Sequence, residues 1–471
     1  SSTAAAGKLI STITDPQGKL VGEISSEFRL GAGEQTTIEQ SAEVAEARLW
    51  SLDTPNLYRI VSTVWQDGNS VDQYETTTGI RSIRFDPEQG FYLNEQPVKI
   101  QGVCCHQDHA GVGSAFPDRL HAFRLERLKE MGCNAYRCSH NPPAPELLEA
   151  ADRMGMLVMN EKRRMSSASE EMAELERIVR RDRNHPSIIL WSIGNEEVFI
   201  QWSPQAARIA QTLQDLVHRL DPTRPVTLAI CLWNPAASGE EDLSRTPTPA
   251  AILDVMGFNY AVRFWEAYHA LHPEQPMVIS EASTNFRTRG CYQTNDESCH
   301  LAWDDPRAEH RAEEQWAKVA RYPYLSGIFL WTGFDYHGEP APYNWPAISS
   351  QFGLMDLCGF PKDNYYYFKA AWKPEPLVHI FPHWNWPERV GQPVKVGCYT
   401  NCEEVELFLN GHSLGRKRVV PNYHLEWEDV IYAPGRLEAR GYTGGEMITG
   451  ALVETSGPAS AIRLLPDRDN I

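Results

Sequence analysis

Hydrophobic and polar positions along the chain follow three rhythms. Over residues 1–90 they alternate with period two, as in "KLISTITDPQGKLVGEISSEFRL" and "LYRIVSTVWQDGNSVDQYETTTGI". That is the pattern of strands that bury one face. "DPQG" and "QDGN" interrupt it with hairpin-turn residues. About five strands are visible where an immunoglobulin-like unit needs roughly seven, so this is a partial β-sandwich without its opening strands.

From about residue 91 short continuous apolar runs replace the alternation: "VKIQGVCCH", "NAYRCSH", "LVMNE", "IILWSIGNE", "VTLAI", "VMGFNY", "PMVISE" and "GIFLWTGFDY". A parallel barrel strand is covered on both faces and so reads as such a run. Amphipathic stretches separate them, among them "RLHAFRLERLKEMG", "APELLEAADRMG", "MAELERIVRRD" and "AARIAQTLQDLVHRL". Eight strands over roughly 280 residues fit a (β/α)8 TIM barrel. The connection of the fifth unit, "CLWNPAASGEEDLSRTPTPAA", reads as loop plus a short helix. After about residue 373 the alternation returns in "PVKVGCYTN", "EVELFLNGHSLGRKRV" and "GRLEARGYTGG", with "LNGH" as a hairpin turn. The pattern predicts a multidomain α/β and β protein: a partial immunoglobulin-like sandwich over 1–90, the barrel over 91–372 and a second immunoglobulin-like sandwich over 373–471. Uncovered strand edges and apolar surface on the first sandwich would favour instability or association into a homo-oligomer.

Composition narrows the function classes. A chain of 471 residues exceeds one core. Its 42% apolar and 10% aromatic content is that of a globular protein, and no run approaches the ~20 apolar residues of a membrane span. "SSTAAAGKL" shows no signal peptide, which leaves the compartment open between cytoplasm and periplasm or exterior. A net charge of −18 without a lysine/arginine block argues against nucleic acid and against membranes as partners. The ten cysteines contain no C-x-x-C, and Cys398-x-x-x-Cys402 lacks a matching zinc-spaced pair, so they read as buried thiols. Neither a metal nor a cofactor is expected.

Polar residues collect at the ends of the predicted strands, where barrel enzymes keep their chemistry. His106 and Asp108 follow the first strand, and Arg137, His140 and Asn141 the second. The fourth ends on Asn195, Glu196 and Glu197, the sixth on Asn259 and Tyr260, the seventh on Glu281, and the eighth on Trp331, Asp335 and Tyr336. The end of "IILWSIGNEE" also reads as a helix start, with Asn195 as cap and acids in the first turn. In a barrel, Glu196 and Glu281 can face each other across the mouth. Two opposed carboxylates suit glycoside hydrolysis, one as proton donor and one as nucleophile. Asn195 would then donate to the sugar 2-hydroxyl, Tyr260 would orient the nucleophile and Trp331 would offer a flat apolar face to the ring. Each has a structural alternative: His140 as a core histidine, Trp331 as packing, Asp335 paired with an arginine, and Glu197 as a capping residue.

Several segments together carry a family resemblance. "RRDRNHPSIILWSIGNEE" resembles the acid/base signature of glycoside hydrolase family 2, the β-galactosidase, β-glucuronidase and β-mannosidase family. "LWSLDTPNLY", "GVCCHQDHAGVG", "MGCNAYRCSHNPPAPELLEAADRMGMLV", "PMVISEAST", "GIFLWTGFDYHGEP" and "VELFLNGHSLG" resemble its other segments in family order. The resemblance implies Glu196 as acid/base and Glu281 as nucleophile, with net retention. It places His106, Arg137, His140, Asn195, Tyr260 and Trp331 at sugar-site positions, and it implies a non-proline cis bond at Trp331–Thr332.

The departures narrow the substrate. Lactose-cleaving members carry a Glu-x-His metal pair after the third strand, and "NEKRRMSSASEE" has none. Glucuronidases carry an Asn-x-Lys segment before the last helix, absent from "SQFGLMDLCGFPKDN". Family members begin with a jelly-roll domain that helps close the sugar pocket. Without one, this chain is expected to hold the catalytic pair but to bind sugar poorly. The expectation is an exo-acting retaining β-galactosidase on oligosaccharides or glycans. Its rivals are a β-mannosidase or β-glucuronidase of the same fold and a non-catalytic carbohydrate-binding barrel. A lyase or aldolase would want a strand-end lysine, and none is read.

Overall fold

The computed structural model describes residues 3–233, 246–308 and 311–465. Two compact units separate, one within Ser1–Thr288 and Gln293–Lys362, the other within Arg289–Tyr292 and Asp363–Ile471. No helix among the described residues is long and apolar enough to cross a membrane.

The first unit opens with a four-stranded antiparallel sheet in the spatial order Leu20–Leu30, Ala5–Thr14, Tyr58–Gln66, Asn69–Thr78. Its two hairpins turn at the two expected sites, with positive φ at Gly18 in one and at Asp67 and Gly68 in the other. Gln40 ties the intervening segment to the sheet: its amide donates to the Leu9 carbonyl and to Ser26 Oγ, each at 3.0 Å.

Eight parallel strands close the barrel: β1 (Ile100–Cys105), β2 (Ala135–Cys138), β3 (Leu157–Glu161), β4 (Ile188–Asn195), β5 (Val226–Cys231), β6 (Met256–Asn259), β7 (Met277–Ala282) and β8 (Leu325–Leu330). They coincide with the eight apolar runs, because all but a few of their residues are buried. Helices follow the periodic stretches. Pro204–Leu220 starts at Ser203, whose side chain accepts from the Ala206 amide, and buries Ala206, Ala210, Leu213 and Val217 on one face. Most of the β5–β6 connection, residues 234–245, lies outside the described residues.

A small sheet of Ile83–Asp86, Gly90–Leu93 and Gln96–Pro97 leads into β1. The preceding segment docks on the barrel: Trp50 is fully buried and its Nε1 donates to the Asp152 carbonyl at 2.8 Å. Arg81 Nε donates to the Pro186 carbonyl at 2.7 Å.

In the second unit a three-stranded sheet (Val378–Phe381, Pro393–Thr400, Leu425–Ile431) and a four-stranded sheet (His412–Arg418, Glu404–Leu409, Arg436–Thr443, Glu446–Glu454) share a core that includes Trp384, Val396, Leu407 and Leu437. The helix Asp363–Trp372 belongs to this unit. No disulfide joins any of the ten cysteines, and six of them are buried.

The barrel closes where β8 meets β1, at Gly327. Its φ is 154°, and a Cβ there would fall on the Ile100 carbonyl oxygen. Gly327→Ala is expected to cost about 1–3 kcal/mol in thermal or urea unfolding. A melting temperature equal to wild type would show that the seam is not closely packed.

Candidate active site

The chain leaves β4 abruptly. Asn195 is the last strand residue, and no helix begins until Pro204, which excludes the helix-start reading. Glu196 has φ 49°, and its amide donates to the Ala229 carbonyl of β5 at 2.9 Å. Tyr260 after β6 and Ser283 after β7 also have positive φ, 57° and 70°. Left-handed non-glycine residues are uncommon, and they gather where the surrounding structure holds them for function. Glu197 serves the backbone: its carboxylate accepts from the Met165 amide at 2.8 Å.

Arg137, fully buried at the end of β2, organises the barrel mouth. Its Nη1 donates to Glu281 Oε2 at 2.8 Å and to the Ser280 carbonyl at 2.9 Å. Its Nε and Nη2 donate to Glu161 Oε2 at 3.0 and 2.8 Å, and Nη2 donates to Asn195 Oδ1 at 2.7 Å. Burial alone would raise the Glu161 carboxyl, but Arg137 and His140 more than offset it and hold it below the usual range. Burial pushes the Glu281 carboxyl up; Arg137 pulls it back, and the neighbouring Glu196 pushes it further.

Asn259 joins the two candidate acids. Ser280 Oγ donates to its Oδ1 at 2.8 Å, which turns Nδ2 toward the mouth. Nδ2 lies 3.0 Å from Asn195 Oδ1, 3.0 Å from Glu196 Oε1 and 3.2 Å from Glu281 Oε2. Two oxygens that close to one nitrogen are at most about 6 Å apart, so the two carboxylates meet at the Asn259 amide. Tyr260 OH donates to the other Glu281 oxygen at 2.7 Å.

Beside this pair lies a cleft of about 360 Å³, lined by His106, Asp108, His140, Trp331, Tyr336 and Glu339 among others. His140 Nδ1 is 2.7 Å from Glu161 Oε1. Trp331 is 4% exposed and His140 stacks on its ring, at 5.1 Å and 15°, so part of the expected sugar platform is already occupied by an imidazole. His106 sits against Tyr336 at 4.2 Å. Burial, with the charges of His140 and Arg137, pushes His106 down to about 4, so it is a neutral donor and acceptor near neutral pH. The Trp331–Thr332 peptide is cis, as is Ser139–His140. A larger cavity of about 660 Å³ lies in the second unit, lined by Tyr367 and Tyr399 among others.

His106, Asp108, Arg137, His140, Asn195, Glu196, Asn259, Tyr260, Glu281 and Trp331 therefore stand at the barrel mouth or on the cleft. Three details differ from the sequence reading. Asp335 pairs with Lys362 at 2.8 Å, not with an arginine. A lysine does follow a strand: Lys162, directly after β3, is buried and paired with Glu171, with the Arg164 carbonyl 2.8 Å away. Glu161, the second carboxylate bound by Arg137, is not among the residues the sequence pattern singles out, although it closes the apolar run "LVMNE" just as Glu196 closes its own. Among the described residues no group of three or more His, Cys, Asp or Glu side chains is arranged to hold a metal ion.

The description "Glycosyl hydrolases family 2, TIM barrel domain" matches residues 86–355, and "Glycosyl hydrolases family 2" matches residues 1–81. A domain of unknown function, DUF4982, matches residues 391–449. The chain belongs to glycosyl hydrolase family 2. It is 36% identical to beta-galactosidase BoGH2A of Bacteroides ovatus, over 97% of this chain and 60% of that protein. It is 30% identical to a putative beta-glucuronidase of Formosa agariphila, over 89% of this chain and 43% of that protein. The solved structure of a family 2 member from Bacteroides cellulosilyticus superposes with a TM-score of 0.85 at 33% identity, covering 100% of this chain and 61% of that one. The chain thus spans between 43% and 60% of the length of these two curated relatives.

Arg137 balances two buried carboxylates. Glu161→Gln would remove one and leave the guanidinium poorly compensated. The expected loss is about 3–5 kcal/mol in urea unfolding. A loss under about 1 kcal/mol would show that Glu161 is not part of the structural hub.

Proposed function

We propose that the protein is a retaining, exo-acting glycoside hydrolase that releases terminal β-galactose from oligosaccharides or glycans. The observation that carries this reading is the Asn259 amide shared by Glu196 and Glu281, which fits the short carboxylate spacing of a double displacement. Ionised Glu281 attacks the anomeric carbon. The bond to the leaving group breaks as Glu196 delivers its proton to the glycosidic oxygen, which gives a glycosyl ester and a free alcohol. Glu196, now a carboxylate, takes a proton from water. The water oxygen attacks the anomeric carbon and displaces Glu281, with overall retention.

The surrounding residues have matching roles. Arg137, Asn259 and Tyr260 hold Glu281 in place and favour its ionised form, against the burial that opposes it. Asn195 Oδ1 already accepts from Arg137 and Asn259, so its amide nitrogen is left to donate to the sugar 2-hydroxyl. His106 and His140 are placed for other hydroxyls.

Galactose is supported by the similarity to a beta-galactosidase over nearly the whole chain. Other relatives are named beta-glucuronidase, which keeps glucuronate as the second reading. A uronate carboxylate calls for a cationic donor, and none of the described residues that line the cleft is lysine or arginine. A β-mannoside is the third candidate, on family membership alone.

A panel of nitrophenyl β-galactoside, β-glucuronide and β-mannoside tests the sugar. The expected outcome is the highest kcat/KM on the galactoside, and preference for another member of the panel would reject galactose. Glu196→Ala should lower kcat by about 10²–10⁴ on poor leaving groups and far less on activated aryl glycosides. Equal losses on both would reject Glu196 as the acid. Activity falls as Glu281 becomes protonated. Tyr260→Phe removes a donor to its ionised form and so raises its pKa further. The acid limb of the kcat/KM profile should therefore move to higher pH; an unmoved limb, or one moved lower, would mean that Glu281 does not set it.

A further inference from the structure

The order of strands around the ring is β3-β4-β5-β6-β7-β8-β1-β2, which sets β4 and β8 opposite each other. On the reading above, Glu196 at the end of β4 protonates the glycosidic oxygen, so the leaving group lies on that side. The body of the sugar then extends toward β8 and β1. The cleft of about 360 Å³ is there, lined from the end of β1 by His106 and Asp108 and from the segment after β8 by Tyr336, His337 and Glu339.

Two carboxylates in this cleft have no part in the double displacement. Asp108 Oδ2 accepts from both the backbone amide and the Nδ1 of His337, the latter at 2.7 Å, and its Oδ1 accepts no hydrogen bond among the described residues. Tyr336 OH donates to Glu339 Oε2, and the Tyr336 ring rests on His106. Glu339 is exposed and has φ 44°, a left-handed backbone unusual for its residue type.

The segment that carries Glu339 is held firmly. His337 bridges Ser349, Gly338 N donates to the Ile348 carbonyl at 2.7 Å, and Tyr343 OH reaches Asp296 Oδ1 and the His300 carbonyl, each at 3.0 Å. The second oxygen of Glu339 is thus an acceptor on a braced loop, beside another carboxylate, at the far end of the sugar site.

We propose that Glu339, seconded by Asp108, is a specificity-determining residue: it accepts from the hydroxyl groups at the C4–C6 end of the sugar and repels a sugar that carries a carboxylate at C6. The inference rests on the glycosidase reading above and names the group that enforces its preference for a neutral sugar. An ionised carboxylate makes a strong acceptor for a hydroxyl. A site built around such a bond discriminates sharply against an analogue that lacks the group. A like charge in the same cleft adds repulsion against the wrong ligand.

The experiment compares wild type, Glu339→Gln and Glu339→Gly in the full-length protein on nitrophenyl β-galactoside, its 4-deoxy and 6-deoxy analogues, and nitrophenyl β-glucuronide. The glycine variant relieves the left-handed backbone while removing the carboxylate, so misfolding would not explain its loss of activity. Both variants are expected to lose about tenfold to a hundredfold in kcat/KM on the galactoside. The loss should shrink to less than about threefold on the deoxy analogue that lacks the recognised hydroxyl. The glucuronide-to-galactoside ratio should rise at least about tenfold. The same loss on all three neutral substrates, or an unchanged ratio, overturns the role of Glu339 while leaving the galactosidase reading intact. A wild type that prefers the glucuronide overturns both.

Discussion

The barrel mouth depends on one buried cation. Arg137 has no solvent to stabilise it, so its charge is balanced by Glu161 on one side and Glu281 on the other. A buried ion pair is weak support for stability when compared with apolar packing, but costly to break once it exists. That asymmetry gives Arg137 its organising effect. Whatever moves Glu161 also moves the guanidinium, and with it Glu281, Asn195 and the imidazole of His140. Four strand ends are thereby locked in one arrangement by a single planar group whose donors point in fixed directions.

The barrel was legible because its strands are buried on both faces, a condition that leaves an unbroken apolar run in the chain. Glu196 and Glu281 stood out for the same reason: each carboxylate ends an apolar run at the face where a barrel opens. Glu161 meets that criterion too, but lies in a short run followed by charged residues, where the break in pattern is hard to see. The partner of Asp335 was out of reach, because Lys362 stands 27 residues further on and only the return of the chain past β8 joins them. Left-handed φ at Glu196 and Tyr260 leaves no mark on residue type, since neither position is glycine or asparagine. Glu339 lies in a loop, where hydrophobic period carries no information, and its neighbours Asp108 and His106 come from the other end of the barrel sequence.

Two kinds of rigidity meet at the mouth. The carboxylates are fixed by a buried network of hydrogen bonds that runs through Arg137 and Asn259. The cleft beside them is shaped by side chains on loops, with aromatic rings and imidazoles in contact: His140 stacked on Trp331, and His106 tilted against Tyr336. The first arrangement tolerates little change, because removing one partner leaves another buried and unsatisfied. The second is nearer solvent, where exchanging a side chain leaves fewer unpaired groups.

The loop after β8 returns on itself. It is closed at its base between His337 and Ser349 and held near its tip through Tyr343. Bonds within the loop and to the segments around Asp296 and Asp108 hold it in shape. Such a loop is a separable evolutionary module: residues within it can be exchanged, or the loop lengthened, without disturbing Arg137 and its partners. A family 2 lineage could redraw this one segment and leave the buried network at the barrel mouth as it was.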